Sequence, residues 1–199
     1  MNAVLVNGWG VADRQAAAAI PRSPDAQLEV VAVAHNWREK LERLSGSVLL
    51  GYSTGAFLLL TAPELWRRFE RVVLFAPFPD LKAESGQGGR VNTVQLRVML
   101  RSLKQDPLAA LSDFYQRAGL TIKGRLLLPQ PAEELCWGIE QLLGTSADAA
   151  PMTRAECHVG ECDPLLDATR LAELCPTITV VPGVGHDLRA LVEGSGFRL

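Results

Sequence analysis

Six short, largely apolar segments, at residues 3–6, 28–34, 47–50, 71–76, 155–159 and 177–181, set the strongest limit on the fold. Each has strand length, and the segments between them are too long for hairpin turns and carry helical spacing or helix-favouring residues. Strands joined by such crossovers lie parallel, and a parallel sheet covered by helices is built from near-continuous apolar runs. The pattern predicts an α/β domain with a mostly parallel sheet of about six strands and helices on both faces. At 199 residues the chain is expected to form one domain, 1–199, around one core. A hydrophobic fraction of 48% excludes a disordered chain, and no apolar run reaches the length of a membrane span.

The third segment runs into Gly51-Tyr52-Ser53-Thr54-Gly55 and then Ala56-Phe57-Leu58-Leu59-Leu60. A G-x-S-x-G between a buried strand and a helix start is the setting of a nucleophile elbow, in which serine is held in a strained backbone conformation. A side chain at either glycine would block the approach of strand and helix. Ser53 is then exposed at the top of the sheet, with the Thr54 amide at the positive end of the following helix.

Serine chemistry needs a base to take the hydroxyl proton and a carboxylate to orient that base. Asp163, in the turn Gly160-Glu161-Cys162-Asp163-Pro164, and His186, closing Pro182-Gly183-Val184-Gly185-His186, follow the fifth and sixth segments. Ser53, Asp163 and His186 therefore gather at the carboxyl edge of the predicted sheet. His35 ends an earlier strand and His158 lies inside one. Asp80, past the fourth segment, and Asp187, beside His186, are the rival carboxylates, but Asp187 cannot easily orient its own neighbour. Asn7-Gly8-Trp9-Gly10 follows the first segment, where a glycine-rich loop can donate a backbone N–H to an oxyanion. Trp9 and Thr54 are the expected donors.

Between residues 77 and 145 the alternation lapses, and this stretch is expected to be an inserted helical cap after the fourth strand. Leu96, Met99, Leu100 and Leu103 share one helix face, with Arg97, Arg101 and Lys104 on another. Asp106-Pro107 starts a second helix, ended by Gly119, and Pro131 starts a third. Formal charge is −2 overall, yet residues 82–130 hold Lys82, Arg90, Arg97, Arg101, Lys104, Arg117, Lys123 and Arg125 against Glu84, Asp106 and Asp113, a local +5. Such asymmetry points to an acidic partner or substrate, or simply to a solvated helix face.

Cys136, Cys157, Cys162 and Cys175 are scattered, three of them in or beside apolar runs, and lack the paired spacing of a metal site. No metal and no cofactor is expected. The chain begins without a basic segment and long apolar stretch of a secretion signal, so a cytoplasmic protein with reduced thiols is expected.

Together, NGWG, GYSTG, GECDPL and VPGVGH, with a helical cap between the second and third, resemble the α/β-hydrolases, and among them the pimeloyl-[acyl-carrier protein] methyl ester esterases of biotin synthesis. The resemblance runs over nearly the whole chain. It implies an α/β-hydrolase fold and hydrolysis of the methyl ester of carrier-bound pimelate by Ser53, Asp163 and His186. Acyl carrier protein is the implied partner, with Trp9, Arg97, Arg101, Lys104 and Arg117 meeting substrate or carrier; no nucleic acid or membrane partner is expected, and a monomer is. Asn7 stands where that family usually has histidine, and Tyr52 where tryptophan is common. Two alternatives stay open: an esterase or thioesterase for another small acyl substrate on the same triad, and a catalytically silent binding protein of the same fold.

Overall fold

The computed structural model describes residues 1–121 and 126–199. Its centre is a six-stranded, all-parallel sheet of β1 (Asn2–Val6), β2 (Gln27–Val31), β3 (Gly46–Tyr52), β4 (Phe69–Phe75), β7 (Glu156–Gly160) and β8 (Thr179–Val181), in the order β2-β1-β3-β4-β7-β8. Leu5 of β1, Leu50 of β3 and Val73 of β4 lie side by side in register and are fully buried. Burial on both sheet faces explains why these strands read as unbroken apolar runs.

Helices surround the sheet. α1 (Asp13–Ala19) packs with α8 (Leu188–Ser195), α2 (Trp37–Glu42) meets β2, α3 (Thr54–Thr61) lies on β3 and β1, and α7 (Ala168–Leu174) meets β8. Every residue of α3 from Thr54 to Leu60 is buried, as its apolar sequence requires. Residues 165–174 carry a helical pattern, but α7 begins at Ala168. Asp163 Oδ1 accepts the N–H groups of Leu165 and Leu166, bending them into a turn, and Asp167 caps the helix through the Arg170 N–H.

The stretch between β4 and β7 is not all helix. It opens with two short parallel strands, β5 (Asp80–Lys82) and β6 (Gly88–Val91), where an inserted helical cap is expected from the sequence. Arg90 N–H donates to Leu165 and Asp167 N–H to Gly88, so β6 is fastened to the turn that carries Asp163. α4 (Thr93–Gln105), α5 (Pro107–Arg117) and α6 (Ala132–Gly144) follow, with α4 packed on both others. Asn92 and Gln95 form a reciprocal capping box on α4, and Asp106 caps α5 with Pro107 at its first turn.

Two anchors hold these helices over the sheet edge. Asp80, 2% exposed, accepts the Ser146 hydroxyl and the Lys82 N–H, and pairs with Lys82 Nζ at 3.1 Å. Lys82 Nζ in turn donates to the carbonyls of Leu142 and Thr145 at the end of α6, which a helix otherwise leaves unpaired. Trp9 is the second anchor: its indole Nε1 donates to the Leu135 carbonyl at 2.8 Å and its ring meets Phe114 edge-on.

Candidate active site

Ser53 sits at the β3–α3 junction with φ 51° and ψ −119°, a conformation almost reserved for glycine. The turn is tolerated because the elements around it approach closely. A Cβ at Gly55 would lie 2.2 Å from the Val6 carbonyl oxygen, and one at Gly51 only 2.9 Å from Ala56 Cα. Ser53 N–H is held by the Phe75 carbonyl at 2.9 Å. A serine before a helix usually caps it, yet Ser53 makes no such bond. The strained backbone turns its hydroxyl away from the helix amides and toward His186.

Ser53 Oγ lies 2.8 Å from His186 Nε2, and His186 Nδ1 lies 2.7 Å from Asp163 Oδ2. A carboxylate only accepts hydrogen bonds, so Nδ1 carries the proton and Nε2 is left to accept the serine hydroxyl. The other carboxylate oxygen takes the two amides of the Leu165–Leu166 turn, so Asp163 is buried and satisfied on both sides. This is the arrangement that lets serine attack a carbonyl while histidine receives its proton.

The acid and base loops are laced together. Glu161 N–H donates to Val181 and Cys162 N–H to Val184, while the Glu161 carboxylate accepts the Gly183 N–H. Tyr52 OH donates to the His186 carbonyl at 2.8 Å, tying the elbow to the histidine loop. Burial pushes the Tyr52 phenol well above the usual tyrosine range, and the Asp187 and Asp163 carboxylates act in the same direction. Arg90 adds a bond from its guanidinium to the Asp163 carbonyl. None of these supports is visible as a motif, because each joins residues far apart in the chain.

The rival carboxylates are used elsewhere. Asp80 belongs to the Lys82–Ser146 anchor, and Asp187 caps α8 by accepting the Ala190 N–H. His35 pairs with Glu134 at the start of α6, and His158 stacks on Phe75 within the sheet, with Nε2 toward Glu156.

Ser53 opens into a cavity of about 810 Å³ bounded by Trp9, Thr54 and residues of α4, α5 and α6, among them the exposed Val94, Val98 and Arg117. Leu81, Leu96, Met99, Phe114, Ile139 and Leu165 make much of its wall apolar. Trp9 and Thr54 thus flank the serine, and neither of their backbone N–H groups bonds to a described residue. Of the cations expected on the cap, Arg97, Arg101, Lys104 and Arg117 are all exposed. Lys104 faces Glu140 at 3.8 Å and Arg117 bonds Asp113 at 2.8 Å. Lys82 and Arg90, counted above with that basic group, turn instead to Asp80 and to the Asp163 turn. Lys123 and Arg125 lie outside the described residues.

The six-stranded parallel sheet with helices around it matches the α/β-hydrolase fold of similar solved structures. Among solved structures, the chain is similar to a protein assigned as an aryl esterase from Burkholderia cenocepacia (TM-score 0.70, 18% identity, 98% of this chain and 86% of that one). It is also similar to a bromoperoxidase from Bacillus anthracis (TM-score 0.67, 14% identity, 98% and 87%) and to an esterase from Exiguobacterium antarcticum (TM-score 0.65, 10% identity, 94% and 85%). No family model and no curated protein sequence matches the chain. No helix among the described residues is long and apolar enough to cross a membrane.

Proposed function

We propose that the protein is a serine hydrolase of carboxylic esters. The observation that carries this reading is the continuous line from Ser53 Oγ through His186 to Asp163, opening into an apolar cavity. Ser53 attacks the ester carbonyl as His186 takes its proton, and the Asp163 carboxylate stabilises the imidazolium. The oxyanion forms beside the free amides of Trp9 and Thr54. On collapse, His186 returns the proton to the leaving alcohol. Water activated by the same histidine then releases the acid from the serine.

For the substrate, we propose the methyl ester of pimeloyl-[acyl-carrier protein], cleaved to methanol and the carrier-bound acid in biotin synthesis. Support comes from the sequence resemblance, from the largely apolar wall of the cavity beside Ser53, and from exposed Arg97 and Arg101 on α4, whose Val94 and Val98 line that cavity. An acidic carrier protein is attracted to such a face. One observation favours a free small ester instead: Lys104 and Arg117 already face carboxylates of the same helical layer. Purified protein incubated with carrier-bound pimeloyl methyl ester should release methanol, and Ser53→Ala should not. Turnover of free esters with none of the carrier-bound one would select the second reading.

A further inference from the structure

Asn7 directly follows β1 with its side chain fully buried, and both ends of its amide are used. Oδ1 accepts the Gly8 backbone N–H at 2.7 Å, while Nδ2 donates to the Val11 carbonyl at 2.8 Å and to Asp13 Oδ1 at 3.0 Å. These partners fix the amide's orientation, since an N–H needs an oxygen while a carbonyl and a carboxylate need a donor. The turn is closed further by Val11 N–H on the Gly8 carbonyl, and its outer side by Tyr115 OH on the Gly10 carbonyl.

Gly8 and Trp9 offer consecutive N–H groups beside the elbow, and Asn7 takes the first of them into the protein interior. Trp9 lines the cavity with Ser53 and Thr54, and its N–H bonds to no described residue. Resting on the ester-hydrolase reading above, we infer that Asn7 is a positioning residue: it commits the Gly8 amide inward and thereby sets the Trp9 amide as the oxyanion donor. Asn7 touches no reacting atom and acts wholly through the loop.

The test compares wild type with Asn7→Leu, which removes all three bonds, and Asp13→Ala, which removes one Nδ2 partner at an exposed position. Two quantities are read: kcat and KM for a 4-nitrophenyl ester, and the affinity of a trifluoromethyl ketone, which forms a tetrahedral oxyanion on the serine. Loss of a well-placed oxyanion donor costs on the order of 100- to 1000-fold, so a misdirected one in Asn7→Leu should lower kcat by roughly 10- to 100-fold. KM should stay within about twofold, and ketone affinity should fall by the same factor as kcat. Asp13→Ala should lower both together by about two- to fivefold, the scale of one weakened hydrogen bond. Should Asn7→Leu fail to fold, the parallel loss in Asp13→Ala carries the test. A folded Asn7→Leu with both quantities unchanged overturns the inference, as does a fall in kcat without loss of ketone affinity. A wild type that neither turns over esters nor binds the ketone overturns the proposed function, and this inference with it.

Discussion

The indole N–H of Trp9 donates to the carbonyl of Leu135, 126 positions later in the chain, across 2.8 Å. One side chain thus joins the loop beside Ser53 to the helical layer above it, and the contact leaves no room at Gly138. A Cβ there would stand 2.4 Å from Trp9 Cδ1. Alanine is the better helix former by about 1 kcal/mol, but overpacking a braced ring costs about 1–3 kcal/mol. With the contact as close as 2.4 Å the upper end of that cost applies, a net loss of about 2 kcal/mol, so Gly138→Ala should lower Tm by about 4–8 °C on the scale of about 2–4 °C per kcal/mol for a domain of this size. Ester turnover should fall with it, since the Trp9 backbone must move.

Ser53 gives a second prediction, in which activity and stability part. Ser53→Ala should abolish ester hydrolysis, with a loss of several orders of magnitude, because the three residues act as a unit. Ser53→Gly should be equally inactive yet melt higher than Ser53→Ala. Glycine relieves a strain of about 1–3 kcal/mol at this positive φ, which exceeds its entropic disadvantage of about 0.5–1 kcal/mol. Thermal melts of the two variants decide it; equal Tm values would mean that the elbow is not strained in solution.

Tyr52 and Tyr115 are the chain's two tyrosines, and burial raises the phenol pKa of both. With folded values above the unfolded value near 10, the stability they confer is fully present below pH 10 and is lost as pH climbs through the folded values. Absorbance at 295 nm should therefore show little tyrosinate at pH 10 in native protein. Tyrosinate should then grow in as alkali unfolds the chain. A native titration centred at 10 would contradict the burial of both rings.

For the carrier, the useful residues are Arg97 and Arg101, since Lys104 already faces Glu140. Replacing both arginines by glutamate should lower kcat/KM for a carrier-bound ester by roughly tenfold, an effect of lost electrostatic attraction. The loss should shrink as salt rises, because exposed charges are screened over about 8 Å at physiological ionic strength. A small uncharged ester should be hydrolysed as before. Equal loss on both substrates would point instead to disturbed packing of α4.

The inner strands were legible in the sequence because they are buried on both faces, which leaves an apolar signature at Ala3–Val6 or Val72–Phe75, whereas the edge strands β2 and β8 are partly exposed. The meeting of Ser53, Asp163 and His186 was legible from their order and their places after strands. Less was readable where side chains rather than periodicity decide. β6 begins Gly88-Gly89-Arg90, with no apolar run, and exists because it pairs with β5 and the Leu165–Leu166 turn. Lys82 looks like surface charge until its carbonyl partners at the end of α6 are seen. Asn7 is a polar residue after an apolar strand, and nothing local announces that it satisfies three partners at once.

The strand order β2-β1-β3-β4-β7-β8 also has a kinetic consequence. Ser53 belongs to the half of the sheet made first along the chain, but its two partners arrive only with β7, β8 and their loops, 110 and 133 residues later. The early half can collapse on local contacts, whereas joining His186 to Ser53 requires closure of a long loop, the slow kind of step in forming parallel sheets. During refolding from denaturant, helical circular dichroism should recover before ester turnover does. A chain caught between the two would hold Ser53 in its turn with His186 still far from it.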